Sequence, residues 1–534
     1  MSAAWIGYAF AAAVFGFMLA AAAKAQGEIR KSGYMSMLPF GLASQLSSDR
    51  YELQRFGLAQ LLNRKHGHIA SMGASFNAMG LIGSAAVAFG PALQAGGPST
   101  VAYGLPVIAL LSAAVGASLA GLASAVPTAG GAAHAAFSQG GRKWGNRTGY
   151  YLLFGHTAML ALYIGACAQL ADGFASARFG YGGSSVSFWI LAAAIAASQA
   201  AANHWGARWS SRAQAAGVWL QLGVGAVIVG GLAWTFWPDA SYSSALLYQW
   251  RTADYGGEAT AGGFMLGALL LLKLFAGMDG AAHGAEETVE PRTTVPWSIF
   301  LSVCYTFAAA FILYMFMALV LPSALPAAGN YAGDQPMGMP GLELFMHASS
   351  AGWGGAPLID LLVLVCLWCS GAQSMAVVSR ALFSMARDEA VPLRNRLSAV
   401  SVRHRVPAWS IWSCAAAAAG ALAAAAASGA ALPALLSVAV ISLHIAYAVP
   451  IGLKLGERLR RLKSGAAGAG NRPGSGDGPW RMGRWGLPLN AAAFVWLIAS
   501  SMLTAVYVHS AGLAAAACAL ALSTAAAIRY RHSI

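Results

Sequence analysis

The sequence predicts an all-α polytopic membrane protein whose core is two five-helix halves of inverted topology, followed by two more helices. Three observations carry that expectation. The 534 residues are 58% hydrophobic and only 9% charged, where soluble domains carry roughly 25% charge, and mean hydropathy is +0.59. Apolar runs long enough to span a bilayer, about 20 residues each, follow one another along the chain. Two of these runs, the first and the sixth of the core, are interrupted by glycines. Backbone broken at membrane depth is tolerated where it faces protein or a watery cavity, and paired breaks in matching positions mark the midplane site of inverted-repeat transporters.

The core runs fall at about 69–95, 101–126, 148–171, 186–203 and 214–237 (helices 1–5). A second set falls at 260–283, 296–321, 355–378, 408–428 and 431–455 (helices 6–10), and a last pair at 487–508 and 511–528 (helices 11–12). A further run, Ala4–Ala23, lies in an N-terminal extension, 1–47, ahead of a many-span core, 48–530. It has no basic residue before it, and Lys24, Arg30 and Lys31 follow it. This order fits an uncleaved, lipid-facing extra helix better than a signal peptide.

Basic residues orient the array. With the segment before the first core run placed in the cytoplasm, inner loops receive Arg50 to Lys65, Arg142 to Arg147, Arg208 and Arg212, and Arg292. They also receive Arg380 to Arg405, Lys454 to Arg484, including Arg472, and finally Arg529 and Arg531; the outer loops hold only Arg178 and Arg251. This asymmetry predicts that the core N- and C-termini are cytoplasmic. It also accounts for the net charge of +14 through topology and contact with anionic headgroups of the lipid bilayer, so nucleic acid is not expected as a partner. The six cysteines all lie in apolar runs, and the Cys366/Cys369 spacing has no second pair or histidine partner. They read as small core residues. No metal ligand set or cofactor is expected, and no oligomeric state is specified. His134, His156, His204 and His444 are scattered, with no enzyme motif such as H-E-x-x-H, so the chain is not expected to be an enzyme.

The first break is Met79-Gly80-Leu-Ile-Gly83-Ser84, and the sixth run reads Lys273-Leu-Phe275-Ala276-Gly277-Met-Asp279-Gly280 before the acidic continuation His283-Gly-Ala-Glu286-Glu287. Unwound backbone offers amide donors to a carboxylate, and carbonyls to an ammonium or cation. Gly80, Gly83, Ser84, Lys273, Phe275, Ala276, Gly277 and Asp279 are therefore the expected substrate-binding residues. Asp279 can bind a substrate ammonium or carry a coupled proton; a helix cap or an inner-gate pair is the structural alternative. Asp279, His283 and Glu287 are spaced to share one helix face. With Glu286, and with Arg380, Arg387 and Asp388 from the cytoplasmic loop after the eighth run, they form an expected gating or coupling network. Lys273 is open to three uses: pairing with Asp279, displacing a cation, or holding a substrate carboxylate. The plainer alternative is a lysine that snorkels or is buried neutral.

Several stretches resemble the amino acid–polyamine–organocation permeases, most nearly their amino acid/choline transporter group, which includes GABA and choline permeases. They are Asp49-Arg-Tyr-Glu-Leu-Gln-Arg-Phe-Gly57, Gly96-Gly97-Pro98, Leu119-Ala-Gly-Leu-Ala-Ser124-Ala-Val-Pro127-Thr-Ala-Gly130-Gly131 and Gly277 to Thr288 with Val295-Pro296. Ser379-Arg380-Ala-Leu-Phe-Ser-Met-Ala-Arg387-Asp388-Glu-Ala-Val-Pro392 with Arg405-Val-Pro407, and Trp485-Gly-Leu-Pro488-Leu-Asn490, complete the set. The resemblance spans about residues 48–530. It implies a LeuT-like fold and secondary active import of an amino acid or small amine (GABA-like, choline-like or polyamine) across the plasma membrane, with a proton as the expected coupling ion. An antiporter, or a membrane sensor on a transporter fold, is the alternative. The chain departs from the group at Gly121, where glutamate is usual, and at Lys273.

Overall fold

The computed structural model describes residues 2–31, 49–180, 183–236, 244–251, 258–328, 356–463 and 478–529. The remainder of the 1–47 extension and the basic residues Arg472 and Arg531 lie outside them. Among the described residues, twelve helices are long and apolar enough to cross a membrane. In lipid a helix satisfies its own backbone polar groups, so runs this apolar have few other options.

In chain order the elements are α1 (Ser2–Lys31), α2 (His68–Gly96), α3 (Thr100–Ala125), α4 (Arg142–Phe179), α5 (Ser185–His204), α6 (Ala207–Phe236) and α7 (Ala261–His283). They continue as α8 (Pro291–Ala328), α9 (Ala356–Arg387), α10 (Ala408–Ala427), α11 (Ala431–Lys463), α12 (Gly486–Tyr507) and α13 (Ala511–Arg529). Every predicted run is a helix, and several are longer than predicted. α4 has 38 residues, about 57 Å at 1.5 Å per residue, against a hydrocarbon core of about 30 Å. Hydropathy detects only the apolar middle of such a helix, whose polar ends continue beyond it. For the same reason Ser379–Arg387, expected in a loop, forms the last turns of α9.

α4 packs against α9 and α11, and α3 packs against α8. α1 lies along α8: Gln26 donates to the Tyr305 hydroxyl, and Phe15 meets the rings of Phe307 and Phe311. Trp5, Ile6 and Phe17 on α1 remain exposed. The helix is thus packed on one face and open on the other, as an added outer helix would be.

The two interrupted helices sit at the centre. α2 is helical to Met79 and restarts at Leu81; Gly80 between them has φ +66° and ψ +84°, a left-handed conformation that glycine adopts without strain. The break is held by side chains of α6. Gln221 accepts from the Ile82 amide (3.2 Å) and donates to Asn77 (2.9 Å), while Asn77 donates to the Gln214 carbonyl (2.8 Å). α7 is helical to Leu271, tightens over Leu272–Phe275, becomes extended at Ala276, turns at Gly277 with φ +91°, and resumes only for Gly280–His283.

The second half of α7 abuts α2 backbone to backbone. A Cβ on Gly280 would lie 2.4 Å from the Ala74 carbonyl oxygen. Gly280→Ala is therefore expected to destabilise the protein by about 1–3 kcal/mol through overpacking. Thermal unfolding of the purified protein checks this, with Gly223→Ala as the control: nothing lies within 4 Å of a Cβ there, and alanine in an open helical position is neutral or stabilising.

Candidate functional site

The two breaks meet. A Cβ on Gly277 would sit 3.2 Å from the carbonyl carbon of Ala78, the second residue before Gly80. Lys273 enters this junction from α7 and is fully buried. Its Nζ donates to the Tyr163 hydroxyl (2.8 Å), Ser84 Oγ (3.0 Å) and the Met79 carbonyl (3.4 Å). Tyr163, from α4, in turn donates to Met79 O (2.8 Å), and Ser84 Oγ lies 2.6 Å from the same oxygen. The Lys273 nitrogen thus sits among neutral oxygens, and no carboxylate among the described residues pairs with it.

Of the residues expected to bind substrate, Gly80, Ser84, Lys273, Ala276 and Gly277 are gathered at this junction, and Phe275 is buried beside them. Gly83 is not part of the break. It is helical, and its missing side chain admits Tyr163, whose Cε1 would lie 2.8 Å from a Cβ. Tyr163 orders the junction, though sequence alone could not fix its position.

Asp279 faces away from Lys273, so the pairing considered for the two does not form. Its Oδ1 accepts from the Tyr447 hydroxyl of α11 (2.6 Å). Its Oδ2 lies 3.1 Å from Nε2 of His156 on α4 and 3.2 Å from Nε2 of His283. All four side chains are buried. Nδ1 of His283 lies 2.9 Å from the Ala129 carbonyl oxygen. Atoms of His156, Asp279 and His283 fall within 4.8 Å of one another, near enough for one cation to touch all three. Each histidine meets Asp279 at hydrogen-bond distance, while the two imidazoles meet edge-on with centroids 5.4 Å apart. No metal set was expected here, because His156 is 123 residues from Asp279 in the chain and only a side-chain contact between α4 and α7 joins them.

Beyond this cluster, at the end of the bundle that carries most basic loops, two ion pairs, one buried and one partly buried, join the continuation of α7 to α9. Arg387 grips Glu286 with two contacts, Nη2–Oε1 at 2.8 Å and Nη1–Oε2 at 3.0 Å, the bidentate geometry that favours arginine. Arg380 Nε donates to Glu287 Oε1 at 2.9 Å, and His66 Nε2 stands 3.7 Å from Glu287 Oε2. Burial alone would raise the Glu287 carboxyl; Arg380 first, then His66, hold it below the ordinary glutamate range. The Ala129 amide also donates to Glu286 Oε1 (3.1 Å).

The expected single face of Asp279, His283 and Glu287 is only half present. The helix ends at His283, Gly284 caps it, and a tight turn over Ala285–Glu287 swings the glutamates aside. A glycine where a second helical turn would start is the local reason. Asp388 does not join these pairs; it binds His134 Nε2 at 2.5 Å. His66, Ala129, His134, His156 and Tyr447 are therefore parts of the network that the sequence did not reveal.

Residues 69–522 match the family model described as amino acid permease. The chain is 25% identical over 465 residues to the amino-acid permease BAT1 homolog of Oryza sativa subsp. japonica, covering 84% of this chain and 86% of that protein. It is 24% identical to amino-acid permease BAT1 of Arabidopsis thaliana, with 86% and 88% covered. It is likewise 24% identical to the GABA-specific permease of Saccharomyces cerevisiae, with 77% and 72% covered. Matched across its core from the first broken helix to the last span, this multi-pass membrane protein belongs to the amino acid permease family.

Proposed function

We propose that the chain is a secondary active transporter that imports an amino acid across the plasma membrane by alternating access around the α2/α7 junction, with a proton as the coupling ion. The observation that carries this reading is Lys273. A buried ammonium among neutral oxygens is costly unless an anion joins it, and a substrate carboxylate is that anion. Both carboxylate oxygens of Asp279 are already engaged, so a substrate amine turns instead to backbone carbonyls freed at the breaks. A fixed cation in the site favours an amino acid, GABA-like substrates included, over choline or a polyamine, which carry no carboxylate.

The basic asymmetry of the loops supports cytoplasmic core termini. On that orientation the Glu286–Arg387 and Glu287–Arg380 pairs form the inner gate, closed here. Binding must favour the occluded state for transport to follow.

The test is uptake into proteoliposomes. A panel of amino acids, choline and polyamines is offered with an inward proton gradient. Gradient-driven accumulation of an amino acid, with no accumulation of choline or polyamine, is the expected result. Exchange without net uptake makes the chain an antiporter; binding without translocation makes it a sensor. Either outcome overturns the importer reading.

A further inference from the structure

Ala129 lies in the turn between α3 and the short helix Ala132–Gly140, and it touches the gate and the Asp279 cluster at once. Its N–H donates to Glu286 and its carbonyl meets Nδ1 of His283. A carbonyl oxygen only accepts, so Nδ1 carries a hydrogen. A neutral His283 then presents a bare lone pair on Nε2. That atom lies 3.2 Å from Oδ2 of Asp279, and an ionised carboxylate also has only lone pairs to offer. Two acceptors cannot bond. His156 can donate its own Nε2–H to Oδ2 and Tyr447 donates to Oδ1, yet neither fills the contact between His283 and Asp279.

One extra proton makes every contact in the cluster a hydrogen bond. It also brings the net charge to zero, a carboxylate against one imidazolium, where the unloaded cluster is a lone buried anion. A divalent metal ion in the same place would leave one positive charge in excess, which a buried site disfavours.

We propose that the Asp279–His283–His156 cluster is the site that holds the coupled proton while the gate is closed, and that Ala129 ties its release to gate opening. This rests on the proton-coupled reading above. A gate movement that draws Glu286 away from Arg387 also pulls on Ala129, whose N–H is bonded to Glu286 and whose carbonyl fixes the His283 ring. His283 then gives its extra proton to water and returns to the neutral form, while Asp279 stays ionised. A space of about 10 Å³ beside His283, lined also by His66, Glu287 and Arg380, is close to what one water needs and lies on the gate side. The charged and titratable groups facing the cluster are thus His156 from α4, Tyr447 from α11, Arg380 from α9, and His66 and Glu287 from the segments flanking α2 and α7.

The test uses the full chain in liposomes. Histidine nitrogen NMR at pH 7 should show an imidazolium resonance that disappears in both His283→Gln and Asp279→Asn. The asparagine amide can itself supply the missing hydrogen to His283 Nε2, so the second variant answers the question if the first fails to fold. In both variants proton-gradient-driven accumulation should be lost while substrate exchange, though slowed, persists. Neutral His283 in the wild type overturns the inference whatever transport shows, as does a signal that changes on chelation of metal ions. Retained gradient-driven accumulation in the variants also overturns it. If the wild type itself ignores the gradient, the proton-coupled reading fails first and the inference falls with it, a result separable because it needs no variant.

Discussion

Lys273→Met is expected to lower amino acid uptake by roughly 10–100-fold while the protein still folds. A hydrogen bond to a charged group is worth about 1.5–3 kcal/mol, and each 1.4 kcal/mol is tenfold in affinity. Methionine matches the length and volume of the lysine stem and needs no counter-ion, so the fully buried position loses little packing. The loss should appear in KM, because in the proposed binding mode Lys273 holds the substrate carboxylate. It should be confined to substrates with a carboxylate; choline and polyamines should bind the variant no worse than the wild type. Uptake kinetics across the same panel, with gel filtration to confirm a folded protein, check this. Unchanged kinetics would return Lys273 to a buried structural lysine bonded to Tyr163 and Ser84.

Breaking the buried Glu287–Arg380 pair is the second large effect. Glu287→Gln leaves Arg380 buried without its carboxylate, at a cost of about 3–5 kcal/mol, whereas replacing both partners by apolar residues is often neutral or stabilising. Glu287→Gln should therefore melt well below the wild type, and the double variant Glu287→Leu/Arg380→Met should recover most of the loss. Thermal unfolding of the three proteins decides it. The same pair sets a pH signature. The folded protein holds the Glu287 carboxyl below its ordinary range, so its contribution is present above the unfolded value of about 4.3. It is lost as pH falls through the lower folded value. The melting difference between wild type and Glu287→Gln should be full at neutral pH and shrink below about pH 4.3. A difference that grows on acidification would contradict the assignment of Arg380 as the partner.

The sequence by itself determined the membrane class, the order of the helices and the place of both breaks. Apolar runs must be helical in lipid, and Gly80 and Gly277 are residues for which a positive φ carries no penalty. It also singled out Lys273 and Asp279, because ionisable groups within apolar runs are rare and costly. Helix length was less legible, as at α4 and the end of α9, because hydropathy ends where the bilayer does and hydrogen-bonded backbone does not.

Only the tertiary structure decided who meets whom. Asp279 turns to His156, His283 and Tyr447 rather than to Lys273, six residues away, because the extended Ala276 and the turn at Gly277 interrupt the helix between them and each finds its own partners. The inner half-helix is four residues long, so Glu286 and Glu287 leave the face of His283 and find arginines on α9. His156 looked like one more scattered histidine, and its meaning lies in a contact across 123 residues that no local pattern encodes. Periodicity and glycine report what a segment does to its own backbone. Partner choice at this site is set by the packing of α4 with α9 and α11, whose side chains reach α7 and its continuation, a property of the assembled bundle.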